Sequence, residues 1–121
     1  MLIPYLKCKI HRATVTDANV EYEGSISIGS NMLEASGLKA FQKVEIYNVS
    51  KGHRFSTYVM PAISGQITIN GAAAWKASQG DIVIIAHYCQ LNEEEAAKHK
   101  PTLVYVDEDN EVVSVRSEPP V

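Results

Sequence analysis

Apolar and polar residues alternate in short stretches along most of this chain, and few stretches follow the helical period. Residues 7–16 alternate and are rich in β-formers, which predicts a strand with Cys8, Ile10 and Arg12 on one face. A second short strand leads into Gly24, and Ile26-Ser27-Ile28 resumes extended structure beyond it. Ser30 or Asn31 can cap one or two helical turns over 32–35, which Gly37 would stop. Residues 44–49 and 54–60 flank Ser50-Lys51-Gly52-His53 as a hairpin. Residues 66–69 read as a further strand, ended by Asn70-Gly71, and the alanines that follow can form a short helix.

Residues 82–88 are continuously apolar, as expected of a central buried strand. Asn92 caps a helix over 93–98, with acids in its first turn and Lys98 late. Pro101 breaks the chain before strands over 103–106 and 112–116, joined across Glu108-Asp109-Asn110, and 117–121 form a frayed tail. Many short strands with a few short helices mean a mainly β protein, a small barrel or a sandwich; periodicity does not choose between them. No linker or repeat interrupts the 121 residues, so one domain, 1–121, is expected.

Composition narrows the function classes. A chain that is 45% hydrophobic and 21% charged is ordinary for a soluble globular protein. Its net charge of −3 lacks the positive footprint for nucleic acid or an anionic membrane. The first seven residues are too short and too soon charged for a signal peptide, and no apolar run reaches membrane-spanning length. Cys8 and Cys89 form neither a CxxC pair nor a disulfide framework, and read as thiols in a reducing cytoplasm. His11, His53, His87 and His99 lack metal-site spacing. No phosphate-binding glycine loop and no lysine context for pyridoxal phosphate occurs, so neither a metal nor that cofactor is expected.

The sharpest chemical possibility lies in Tyr22-Glu23-Gly24-Ser25. A serine hydroxyl can attack the preceding carbonyl, moving the acyl group from nitrogen to oxygen. Elimination from the resulting ester leaves a dehydroalanine, which hydrolyses to a ketone. Gly24 suits this because a residue without Cβ accepts strained backbone angles. Taken alone, a Gly-Ser pair marks a turn far more often than a cleavage site.

Five segments in order change that weighting: His11-Arg12, Tyr22-Glu23-Gly24-Ser25, Arg54-Phe55-Ser56-Thr57-Tyr58, Asn70-Gly71-Ala72-Ala73-Ala74 and Gly80-Asp81-Ile82-Val83-Ile84-Ile85. Together, over residues 7–105, the chain resembles the aspartate alpha-decarboxylase family, small pyruvoyl-dependent enzymes that make β-alanine for pantothenate and coenzyme A. The resemblance implies a double-psi β-barrel and a homotetramer with active sites between neighbouring subunits. It implies scission between Gly24 and Ser25 into chains 1–24 and 25–121, with a pyruvoyl group made from Ser25, and L-aspartate as substrate. Spontaneous maturation and maturation by a helper protein both stay open.

The resemblance also assigns residues. Thr57 would donate to the oxyanion developing at Gly24 during maturation, and Tyr58 would protonate Cα after carbon dioxide leaves. Arg54 would clamp the retained side-chain carboxylate through its planar guanidinium, and Lys9 would add a second positive group. Substrate contacts fall on Thr57 and on Gly71, Ala72 and Ala73, the last three of which have small side chains that let the backbone approach closely. Asn70 matches a residue that assists the processed centre, and His11 and Tyr22 match positions near it. Tyr47 stands where other members can carry tryptophan, and Trp75 has no assigned role. The competing reading is a non-catalytic β-barrel that binds a partner or nucleic acid, with Ser25 as a turn residue and Arg54, Tyr58 and Lys9 as ordinary strand side chains.

Overall fold

β-Branched residues dominate the interior: Ile10, Ile26, Ile46, Ile67, Ile69 and Ile85 are all fully buried, which suits a pleated surface packed on one side. A computed structural model describes residues 1–118. Its strands are β1 (Ile3–Thr14), β2 (Asp17–Asn19), β3 (Ser25–Gly29), β4 (Lys43–Asn48), β5 (Arg54–Ala62), β6 (Ile67–Asn70), β7 (Ile82–Leu91), β8 (Thr102–Val106) and β9 (Val112–Arg116). They form one barrel-like sheet in the order β2-β6-β3-β5-β4-β7-β1-β8-β9. Helix α1 (Ser30–Ser36) follows β3, a 3-10 turn (Gly71–Trp75) follows β6, and α2 (Glu93–Lys98) follows β7. The protein is therefore mainly β with short helices. Pairing is antiparallel except for β1 with β8, β2 with β6, and β3 with β5.

The expected hairpin, the break at Pro101 and the last two strands all form. Gly37 ends α1 at φ +80, its N–H donating to Leu33 O. Asn92 caps α2 through a capping box: Glu95 N–H donates to Asn92 Oδ1 at 2.8 Å, and Asn92 N–H to Glu95 Oε1 at 2.9 Å.

Other details differ. Arg12 does not share a face with Cys8 and Ile10. The β1–β7 register slips between Ile10 and Ala13, Arg12 sits at φ +62, and Ala13 takes the inward position. The short strand after β1 ends at Asn19, whose Oδ1 accepts the Glu21 N–H and turns the chain well before Gly24. Neither Ser30 nor Asn31 caps α1. The Asn31 carboxamide instead accepts from Gly65 N–H at 3.0 Å and donates to Asn110 O at 2.8 Å. The strand β7 is central, between β4 and β1, yet Ile82 and Ile84 are only half-buried while Val83 and Ile85 are fully buried. Of the tail expected over 117–121, residues 119–121 lie outside the described residues.

A polar cluster ties the β4–β5 hairpin to the start of β7. Asp81 Oδ2 accepts from Asn48 Nδ2 and Ser78 N–H at 2.9 Å each, and lies 3.1 Å from Lys51 Nζ. Burial alone would raise the Asp81 pKa, but these hydrogen bonds and the lysine charge outweigh it and hold the carboxyl below its usual value.

Candidate active site

Strands β3 and β6 run antiparallel, with Ser25 opposite Asn70 at the edge of the core. Ser25 is only 5% exposed, although Tyr22, Glu23 and Gly24 before it are exposed. Asn70 Nδ2 donates to Ser25 Oγ at 3.0 Å and to Ser27 Oγ at 3.1 Å, while buried Asn70 Oδ1 has no partner. An orphaned buried carbonyl is costly in a finished core. Beside a serine hydroxyl it is a free hydrogen-bond acceptor.

Gly71 follows at φ +71, and a Cβ built there would stand 2.6 Å from both Gly24 Cα and Gly24 N, and 2.9 Å from Tyr22 O. Only glycine fits, because its Cα backs directly onto the Gly24 backbone. Around Gly24 itself the space that a Cβ would take is open. Ala72 is exposed and Ala73 half-buried on the turn that follows Gly71.

Thr57 and Tyr58 approach from the other side of β3. The parallel β3–β5 pairing begins at Ile26 opposite Val59, so Ser25 and Tyr58 each stand one residue before that pair and Thr57 two before. Both are half-buried, and the hydrogen bond to the Ser25 hydroxyl comes from Asn70 rather than Thr57. The Tyr58 ring stacks on Phe41, centroids 6.1 Å apart and planes inclined by 22°.

The remaining sequence-chosen residues gather elsewhere. Tyr47 pairs with Arg54 across the hairpin and with Ile84 on β7. The Arg54 guanidinium lies 4.4 Å from the centre of the Tyr47 ring, and among the described residues Arg54 forms no ion pair. Tyr47 OH lies 2.8 Å from Tyr88 OH; that hydrogen bond first, then burial, push the Tyr47 phenol up to about 12. It therefore stays a neutral platform under the cation.

Lys9 lies on β1 opposite Ala86, which also pairs with Glu45. Neighbouring His11 packs edge-on to Tyr105 at 5.5 Å, and its Nδ1 is buried without a partner. Burial, then the charges of Lys9 and Arg12, lower its pKa below the ordinary histidine value.

One chain thus holds two groups. Ser25, Gly24, Tyr22, Asn70, Gly71, Thr57 and Tyr58 lie on β3, on the loop before it and on its neighbours β5 and β6 with the turn after β6. Lys9, His11, Tyr47 and Arg54 lie across β1–β7–β4 and the far end of β5. Arg54 is four residues from Tyr58 along β5, about 13 Å in a strand, and β1 is four strand steps from β3. Ser27, Phe41 and Tyr88 were not singled out from sequence. The alternation of Ser25 and Ser27 could have indicated Ser27; Tyr88 merges into an apolar run, and Phe41 lies in no pattern.

The residues fit a carbonyl centre made from the chain itself. Such a group needs no cavity beyond that of the serine it replaces, and the Asn70 amide supplies donors and a free acceptor beside it. The geometry belongs to the unbroken chain, with serine at position 25.

Comparisons with known proteins place the chain in a family. The profile of the aspartate decarboxylase family matches residues 1–113. An aspartate 1-decarboxylase of Hydrogenobaculum sp. is 55% identical over 111 residues, covering 92% of this chain and 89% of the relative. That of Thioalkalivibrio sulfidiphilus is 50% identical, covering 100% of this chain and 98% of the relative. That of Bdellovibrio bacteriovorus is 51% identical, with 98% and 95% covered.

Proposed function

The chain belongs to the aspartate decarboxylase family and is a carboxy-lyase, and from that premise we propose that it cleaves itself at Gly24-Ser25 and then converts L-aspartate to β-alanine and carbon dioxide. The observation that carries the reading is the pairing of Asn70 with the buried Ser25 hydroxyl, with Gly71 pressed on the Gly24 backbone. A reading of Ser25 as a plain turn residue leaves both features without a purpose.

In maturation the Ser25 Oγ attacks the Gly24 carbonyl carbon, the C–N bond breaks, and the hydroxyl proton ends on the freed amine. Loss of the Cα proton and the Cβ–O bond releases the Gly24 carboxylate and leaves dehydroalanine at residue 25. Water then replaces its nitrogen, ammonia leaves, and the pyruvoyl group remains. Asn70 fixes the rotamer of Ser25 for the attack, and Thr57 stabilises charge building on the Gly24 oxygen. The pyruvoyl group supplies an electrophile for the substrate amine and a sink for the electron pair left by carbon dioxide.

The chain's own residues do the rest. The backbone of Gly71, Ala72 and Ala73 lines the approach to residue 25, where short side chains leave room. Arg54, carrying no carboxylate of its own, holds the retained carboxylate of the substrate, and Lys9 adds charge. Tyr58 gives a proton to Cα. Tyr22 and His11 border the site, and neutral Tyr47 holds the Arg54 guanidinium flat.

The separation of Arg54 and Lys9 from Ser25 within one chain supports sites completed between neighbouring copies, as in a homotetramer. The three parallel pairings are in keeping with a double-psi path. No helix among the described residues is long and apolar enough to cross a membrane. We place the enzyme in the cytoplasm, in the supply of β-alanine to pantothenate and coenzyme A, with maturation spontaneous or assisted by a helper protein.

Two variants test the reading. Ser25→Ala should abolish both scission and release of carbon dioxide from aspartate, because alanine has no oxygen for the acyl shift. Tyr58→Phe should be cut normally yet lose decarboxylation. A cut and active Ser25→Ala protein would refute the assignment of Ser25.

A further inference from the structure

Phe41 is conformationally out of place. Among the described residues it is one of three non-glycine residues at positive φ, at +73, and it is 74% exposed. Bulky residues rarely adopt that backbone region. Its position explains how it is held. Phe41 N–H donates to Val59 O at 2.8 Å, and Val59 N–H donates to Gln42 O at 3.0 Å. Two residues therefore oppose one, a bulge whose first residue is left-handed and ordinarily glycine. The next pair in the ladder is Lys43 with Tyr58, so the bulge aims the Phe41 ring across its partner strand.

There the ring stacks on Tyr58, 6.1 Å between centroids and 22° from parallel. An exposed ring gains little from burial, and glycine would relax the backbone. The contact with Tyr58 is what the strained residue provides. Backbone strain kept at a site commonly serves its geometry, and a phenol must be held in one rotamer to deliver a proton to a fixed carbon.

We propose that Phe41 is a positioning residue for the reaction, holding the Tyr58 phenol through its bulge-mounted ring. This rests on the reading of Tyr58 as proton donor, and the test separates the two. The variants are Phe41→Gly, Phe41→Asn (a second residue that tolerates positive φ) and Phe41→Tyr, each assayed as mature, cleaved enzyme with L-aspartate. Phe41→Gly and Phe41→Asn should fold and be cut normally, with Tm unchanged or raised. Their kcat should fall about tenfold with KM unchanged, and Phe41→Tyr should restore kcat to within about twofold.

Placed in a Tyr58→Phe background, Phe41→Gly should cause no further loss. Wild-type kcat in both Phe41→Gly and Phe41→Asn, or an equal loss with and without Tyr58, overturns the positioning role. If Tyr58→Phe itself turns over normally, the proton-donor reading fails first and the inference falls with it.

Discussion

Around Ser25 the groups are small and the backbone sets their positions; around Arg54 they are long and ring stacking sets their positions. At the first, a serine that is 5% exposed, a carboxamide and a glycine without room for Cβ share the core edge of β3 and β6. At the second, a guanidinium lies over a half-buried tyrosine that leans on another phenol at the surface. The difference matches the two tasks proposed for these regions. Breaking a peptide bond demands fixed geometry, since misplacement of about 1 Å can cost a hundredfold in rate. Holding a carboxylate demands charge and tolerates some adjustment, since charge-assisted hydrogen bonds contribute even when the partners move.

The contrast can be broken at either end. The largest effect is expected for Gly71→Ala, which adds a methyl 2.6 Å from the Gly24 backbone at a φ of +71. Self-cleavage, followed by denaturing electrophoresis over time, should slow by about a hundredfold or more. Cutting at the wild-type rate would show that the close approach is incidental.

Arg54→Ala should do the reverse: normal cleavage, with KM for aspartate raised about ten- to a hundredfold, the loss of one charged hydrogen-bonded contact. An unchanged KM would remove Arg54 from binding. The smallest effect concerns the hairpin that carries Arg54. The folded Asp81 carboxyl gives up its proton more readily than the unfolded one. Its contribution is therefore present above the ordinary carboxylate range and is lost as pH falls through that range to the lower folded value. Asp81→Asn should cost about 1 kcal/mol at neutral pH and flatten the acid limb of a stability–pH curve. An unchanged acid limb would show that the cluster is not coupled to folding.

The two regions were also unequally legible in the sequence. Ser25, Asn70 and Gly71 sit in compact motifs that carry the family resemblance, and the sheet register brings those motifs together. That Asn70 reaches Ser25, and that Gly71 backs onto Gly24, depends on pairing between segments 45 residues apart in sequence, which no local pattern encodes. At the second region Arg54 and Tyr47 are visible as residue types, but their stacking follows from hairpin register, and Tyr88 is hidden in an apolar run. Strand positions followed alternation well. Two of the failures, Arg12 and Asn31, lie where a bulge or a long-range carboxamide bond overrode the local preference. Phe41 was invisible for the same reason, because a left-handed phenylalanine contradicts propensity.

The most direct test of the central claim is the mass of the purified chain after prolonged warming. The account predicts two fragments, 1–24 and 25–121, the larger without a free amino group and lighter by one ammonia than a serine-ended fragment. Unbroken chains without a ketone that still release carbon dioxide from aspartate would contradict it.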